Sequence, residues 1–275
     1  MSVAKAVVRR ILVYVVFAFG TAFFALPMLW LLSAPLDDPP TYAVRPPRDF
    51  SLENFSQVLD NRYALPSLVN STLLAVGTMV LVVVSAALAS YALSRAKVPG
   101  RDALLYALLL LSSVVTGTAA MVPIFLLIYQ LGLIDTHLGV ILVLTGGLLP
   151  AAIFLLKDFI DTIPRSYEES ARVFGASPLQ ILRHIVVPVA RPGLATIGVW
   201  TIVQVWGSFL VPFLLLRDPD KQPAAVLVRT FYTEGGSPNL GLIAAFSLLY
   251  SVPVVLMYLL AWGRYGFRFH GGIKS

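Results

Sequence analysis

Long apolar stretches alternate along this chain with short polar connectors. A helix that crosses the hydrocarbon core of a bilayer needs about 20 mainly apolar residues. Six stretches reach that length: 11–35, 68–94, 103–130, 138–160, 190–216 and 240–263. They lack the alternation of apolar and polar positions, over roughly 10 residues, that marks a membrane-barrel strand. Every backbone polar group in lipid must also be satisfied within the protein. The pattern therefore predicts an all-α, polytopic membrane protein with six transmembrane helices, its transmembrane domain spanning 11–263. Lys5, Arg9 and Arg10 precede the first stretch in the manner of a signal peptide. That stretch is longer than a signal h-region of about 7–15 residues, so a retained first helix is expected. Gly146-Gly147 with Pro150 predicts a break within the fourth stretch.

The connectors give an orientation. Segments 1–10, 95–102, 157–191 and 264–275 hold 14 Lys/Arg against 5 Asp/Glu, whereas 36–67, 131–137 and 217–239 hold 6 against 9. Basic residues concentrate on the cytoplasmic side of short loops. This predicts cytoplasmic termini (1–10 and 264–275) and a long cytoplasmic loop at 157–191.

Composition agrees and narrows the chemistry. Of 275 residues, 58% are hydrophobic and only 12% charged, with a mean hydropathy of +0.83. A soluble domain carries about 25% charged residues. The formal charge of +6 reflects the one-sided loops and points to no nucleic acid. Cysteine is absent, and His137, His184 and His270 stand far apart, so no metal or cofactor bound by this chain is expected. The apolar stretches hold almost no ionisable residues, whereas proton-coupled pumps and voltage sensors need charges within the membrane. The energy source is therefore expected on another polypeptide, which argues against a secondary transporter or a membrane-embedded enzyme.

The loop at 157–191 predicts two short helices. Pro164 supplies a first-position signal, and Glu168 and Glu169 suit the positive helix N-terminus. Gly175 allows a turn, Ser177-Pro178 reads as N-cap and first position, and Pro188 is expected to stop the second helix. A charged pair beside Tyr167, Val173 and Phe174 suggests a docking element.

Here a specific resemblance enters. Glu169-Ser170-Ala171, then Gly175 after three residues, then Ile185-Val186-Val187-Pro188 after nine more, resembles the EAA loop of ABC importer permeases. Ser170 stands where the family has alanine, Val187 where it has leucine, and Phe174 where it has an acidic residue. Phe50-Ser51-Leu52-Glu53-Asn54-Phe55, Asn70-Ser71, Tyr91-Ala92-Leu93-Ser94-Arg95, Pro99-Gly100-Arg101, Leu131-Gly132-Leu133-Ile134-Asp135-Thr136 and Trp206-Gly207-Ser208 are similar to segments of the carbohydrate class. Within that class the chain is most similar to the smaller permease subunit of the maltose system; Gly207 replaces the usual asparagine.

The resemblance implies a bacterial cytoplasmic-membrane subunit that pairs with a second, homologous permease, two ABC ATPase subunits and an extracytoplasmic solute-binding protein. Alternating access would be driven from below. Tyr167, Glu168, Glu169, Ala171, Gly175, Ile185 and Pro188 would then form the ATPase-coupling element. Gly271, Gly272 and Lys274, in a tail similar to the family's endings, would reach the ATPase. No phosphate-binding glycine loop is present, so ATP and Mg are expected on the partner.

Polar residues within the stretches hint at a substrate path: Thr116, Gln204, Trp206 and Ser208. Gln204 and Ser208 share a helix face by their spacing of four, and Trp206 falls nearly opposite. A sugar, whether oligosaccharide or amino sugar, is the expected cargo, with a glycerophosphodiester as the alternative.

Overall fold

The structure is a computed structural model and describes residues 3–37, 40–96, 99–115, 118–232 and 238–265. It divides into two compact units, Met1–Leu65 with Leu227–Val252, and Pro66–Val226 with Pro253–Ser275. The helices, in chain order, are α1 (Val3–Ser33), α2 (Glu53–Asp60), α3 (Ala64–Arg95), α4 (Arg101–Val115), α5 (Met121–Gln130), α6 (His137–Asp161) and α7 (Arg165–Val173). There follow α8 (Pro178–Ile181), α9 (Val187–Val189), α10 (Arg191–Trp206), α11 (Leu210–Leu215), α12 (Ala224–Leu227) and α13 (Leu240–Tyr265).

The first unit holds α1, α2 and the first half of α13. Apolar side chains such as Phe17, Phe19 and Phe24 stand exposed around α1, as suits a helix solvated by lipid or by another membrane chain. The segment after α1 is tied locally. Trp30 Nε1 donates to the Thr41 carbonyl at 2.8 Å, and the Asp37 carboxylate takes the Arg45 guanidinium at 2.9 Å and the Arg48 amide at 2.9 Å. Asn54 on α2 donates to the Pro35 carbonyl at 3.1 Å. A Cβ on Gly241 would fall 2.1 Å from the Asn54 Oδ1, so α13 requires a glycine where α2 crosses it.

In the second unit α6 is the hub, packing on α4, α10 and α11. Its core is built from Val82 and Ala86 of α3, Leu105 of α4, Ala152, Ile153, Leu156 and Ile160 of α6, and Ile197 of α10. Between helices in lipid the attraction comes from close packing more than from hydrophobic burial, which favours small residues at contacts. Gly77 of α3 shows this: a Cβ there would lie 2.7 Å from Ile141 of α6.

Several boundaries differ from expectation. Among the described residues four helical segments are long and apolar enough to cross a membrane: Arg10–Leu36, Ala64–Arg95, His137–Asp161 and Leu240–Leu259. A bent pair, Pro178–Val189 with Arg191–Trp206, turns by 78° and would count as a fifth. The third stretch divides into α4 and α5 through a 3-10 turn at Thr118–Ala120. The fifth divides into α10 and α11. Pro212 lies in α11 and cannot donate to the Ser208 carbonyl, and a proline ring clashes with the carbonyl four residues back, so the helix breaks at 207–209. The expected break at Gly146-Gly147 does not occur; α6 continues through Pro150.

Candidate functional site

The 162–190 segment forms a compact element by local rules. Pro164 is the N-cap of α7, one position earlier than expected. At the other end the Ala176 amide bonds to the Ala171 carbonyl at 3.1 Å and the Gly175 amide to Arg172 at 2.9 Å, the paired bonds of a Schellman cap. That cap needs a left-handed residue, and Gly175 has φ +81°. A Cβ there would meet nothing within 4 Å, so the glycine serves backbone conformation and not close packing within this chain.

Ser177 caps α8 as expected, in a full capping box with Gln180. Pro188 does not stop the helix. Residues Leu182–Val186 adopt a π-turn, with the Val187 amide donating to Leu182, and the chain stays helical to Val189 before the bend into α10. A proline has no N–H to place in the α-ladder, so the wider register just before it leaves one fewer donor to satisfy.

The residues expected to couple to an ATPase differ in burial. Glu169 is exposed, as are Tyr167 (56%), Val173 (84%), Phe174 (91%) and, on α8, Leu179 (68%). By their spacing of four Glu169 and Val173 share one side of α7, whereas Tyr167, two positions from Glu169, falls nearly opposite it. Ala171 and Ile185 pack against the core, and Pro188 is half-buried. Glu168 is 2% exposed. Arg95 Nε donates to its Oε1 at 2.6 Å and the Tyr91 hydroxyl to its Oε2 at 3.1 Å, while the Arg172 Nη2 stands 3.8 Å from Oε2. Arg95 also donates to the Ile160 and Ile163 carbonyls at 3.2 and 3.1 Å, at the C-terminal end of α6, where a cation is favoured by the unpaired helix carbonyls. Beside it, Ser94 bonds to Asp161, which pairs with Lys157 at 2.7 Å. Sequence reasoning singled out neither Tyr91 nor Arg95 for this role. Their spacing of four on one helix face was the available signal; the partner lay 73 residues away.

A second polar centre sits at the other end of α6. Asp135, at φ +59°, accepts the Arg217 and Asp218 amides at 3.0 and 3.1 Å and Lys221 Nζ at 2.8 Å. Burial raises the Asp135 carboxyl pKa, but the Lys221 bond and the two backbone donors outweigh that and hold it below the usual aspartate range; the Asp135 bond raises Lys221. Asn70 of α3 donates to the Asp220 and Gln222 carbonyls at 2.8 and 3.2 Å, and the Ala224 amide donates to Ser71 at 2.9 Å. The separate segments Asn70-Ser71 and Asp135-Thr136 thus converge on loop 216–224.

Of the residues expected along a substrate path, Gln204 and Ser208 line one cavity of about 240 Å³ with Val143, Leu144, Gly147 and Phe209. They meet there although Ser208 lies beyond the end of α10. Trp206 is buried and does not line it. Thr116 and the tail residues Gly271, Gly272 and Lys274 lie outside the described residues.

The binding-protein-dependent transport system inner membrane component model matches residues 1–263. The chain belongs to that family. It is 30% identical to the maltodextrin transport system permease protein MdxG of Bacillus subtilis, over 76% of this chain and 75% of the relative. It is also 30% identical to the trehalose transport system permease protein SugB of Mycobacterium tuberculosis, over 86% of each. A bacterial ABC transporter involved in the import of the polysaccharide alginate shares the fold, with a TM-score of 0.82, 22% identity, and coverage of 96% of this chain and 99% of that one. This permease is a multi-pass component of the cytoplasmic membrane that works with a solute-binding protein, and ATP hydrolysis belongs to a separate ATPase.

Proposed function

We propose that this permease forms half of the pore of an ATP-driven importer for an oligosaccharide or a related sugar. The observation that carries the reading is the exposure of Glu169, Tyr167 and Val173 on α7, Phe174 just after it and Leu179 on α8, all of which stand clear of the chain's own core. The family relation to the maltodextrin and trehalose permeases supports a carbohydrate cargo. In this reading a second six-helix permease completes the pore. Two ATPase subunits bind below, one of them receiving α7. The chain crosses six times, with α4–α5 and α10–α11 as interrupted spans and both termini cytoplasmic. No cofactor is bound by this chain. The tail around Gly271, Gly272 and Lys274 contacts the ATPase.

Closure of the ATPases would move α7 and the helices bonded to it as a body, exposing the pore to alternate sides. The cavity with Gln204 and Ser208 offers a donor, acceptors and the exposed Phe209 ring, a combination suited to hydroxyls and the apolar face of a sugar. A glycerophosphodiester is the second reading, tested by calorimetric binding of both classes to the cognate solute-binding protein.

Glu169→Lys tests the docking face. A charge-assisted bond of this type is worth about 1.5–3 kcal/mol, so reversal is expected to lower ATPase co-purification and coupled hydrolysis. Normal values for both would reduce the loop to a connector. A cysteine at Ser177, the only one in a chain that has none, is expected to resist an impermeant thiol reagent in intact cells; rapid labelling would overturn the orientation.

A further inference from the structure

We propose that Glu168 is a positioning residue within the permease: gripped by Arg95 and Tyr91, it carries movement of α7 to the cytoplasmic end of α3. The proposal rests on the reading that the exposed face of α7 docks on an ATPase. Glu168 and Glu169 are adjacent, yet one faces outward and the other is 2% exposed. A carboxylate so enclosed is not available to a docking protein. It is committed to its own chain, through the ion pair at 2.6 Å and the phenol bond at 3.1 Å.

The placement of the donors makes this a mechanical link. Tyr91 and Arg95 sit one turn apart in the last two turns of α3 and hold the two oxygens of one carboxylate, which fixes direction as well as distance. The same guanidinium holds the carbonyls of Ile160 and Ile163. One side chain therefore joins α3, the end of α6 and α7. A displacement of α7 cannot leave α3 behind without exposing or unpairing a buried charge, which is costly. The Schellman cap at Gly175 and the packing of the partly buried Ala171 against the core keep α7 itself from turning away from this contact.

The experiment uses the assembled complex and two spin labels, on Ser166→Cys of α7 and Leu88→Cys of α3, both exposed positions in a chain without native cysteine. Inter-label distances are measured without nucleotide and after trapping with ATP and vanadate. With the native clasp the distance distribution is expected to stay the same in the two states. In Arg95→Met it is expected to change on trapping, as α7 follows the ATPase without α3. The trapped variant is expected to show a second distance population that the native complex lacks in both states. The ATPase should still co-purify. Arg95→Lys, which keeps a cation between Glu168 and the α6 carbonyls, should retain the native behaviour, whereas a general loss of packing at this position would affect both variants.

If Arg95→Met does not assemble, Tyr91→Phe with Glu168→Gln removes the ion pair and the phenol bond more gently and is read the same way. A distance that changes in the native complex, or that stays constant in the assembled variants, overturns the proposal. The docking reading fails separately, if Phe174→Asp and Glu169→Lys leave ATPase co-purification unchanged.

Discussion

The two ends of α6 carry two carboxylate clusters that look alike in sequence and differ in kind. At the Asp135 end the carboxylate and the Lys221 ammonium are each about a third exposed, at 31% and 39%, and backbone amides supply two of the carboxylate's three bonds. At the Glu168 end the carboxylate and its guanidinium are 2% and 10% exposed, and side chains from another helix supply the bonds. Water can replace Lys221 at little cost, because exposed pairs gain little and are screened by salt. Water cannot replace Arg95. The outer cluster shapes a loop; the inner one joins elements. Burial and the origin of the donors separate these roles, and the charges themselves do not.

The largest effect is expected from removing one half of the inner pair. Arg95→Met leaves Glu168 buried without its partner, a change that typically costs about 3–5 kcal/mol. Early loss of protection in loop 162–190, read by limited proteolysis of the purified complex, checks it. Arg95→Met together with Glu168→Leu is expected to recover most of that stability while leaving transport low, since the charge is gone but so is the link. Full recovery of both would make the inner pair no different from the outer one.

Next comes Gly175→Val. Its φ of +81° costs an ordinary residue about 1–2 kcal/mol, and more for a β-branched one. Coupled ATP hydrolysis should fall, with Gly175→Asn retaining more because asparagine tolerates the left-handed region. Equal loss in both variants would point instead to the missing Cβ space at a partner surface.

The smallest effect is expected at the outer cluster. Asp135→Asn or Lys221→Ala should leave thermal stability nearly unchanged at neutral pH and physiological salt. Because the folded carboxyl lies below its ordinary value of 3.8, its contribution is complete above that value. It fades only as pH falls through the lowered one. Native protein and Asp135→Asn should therefore differ at neutral pH in low salt and converge at strongly acid pH. A difference that grows as pH falls would reverse the assignment.

Some features were legible because they are local. The capping box at Ser177–Gln180, the turn at Gly175 and the long apolar helices α1, α3, α6 and α13 each follow from a few neighbouring residues. The breaks were less legible. Pro150 lies within a continuous α6, while Pro212 coincides with the interruption between α10 and α11, though each is a proline in an apolar stretch. At Pro188 a π-turn absorbed what was expected to be a stop. The opposite fates of Glu168 and Glu169 were not legible at all, since either could have been the outward carboxylate.

The sequence by itself determined that the chain is helical and membrane-borne, and where the short capped helices of loop 162–190 lie. These depend on composition, period and short-range spacing, and lipid leaves a backbone few alternatives. Only the tertiary structure decided which carboxylate is buried, that Tyr91 and Arg95 reach it across more than seventy residues of chain, and that Gln204 and Ser208 still share a cavity after the helix between them ends. Such contacts are set by how whole helices pack, and packing depends on shapes brought together from distant parts of the chain.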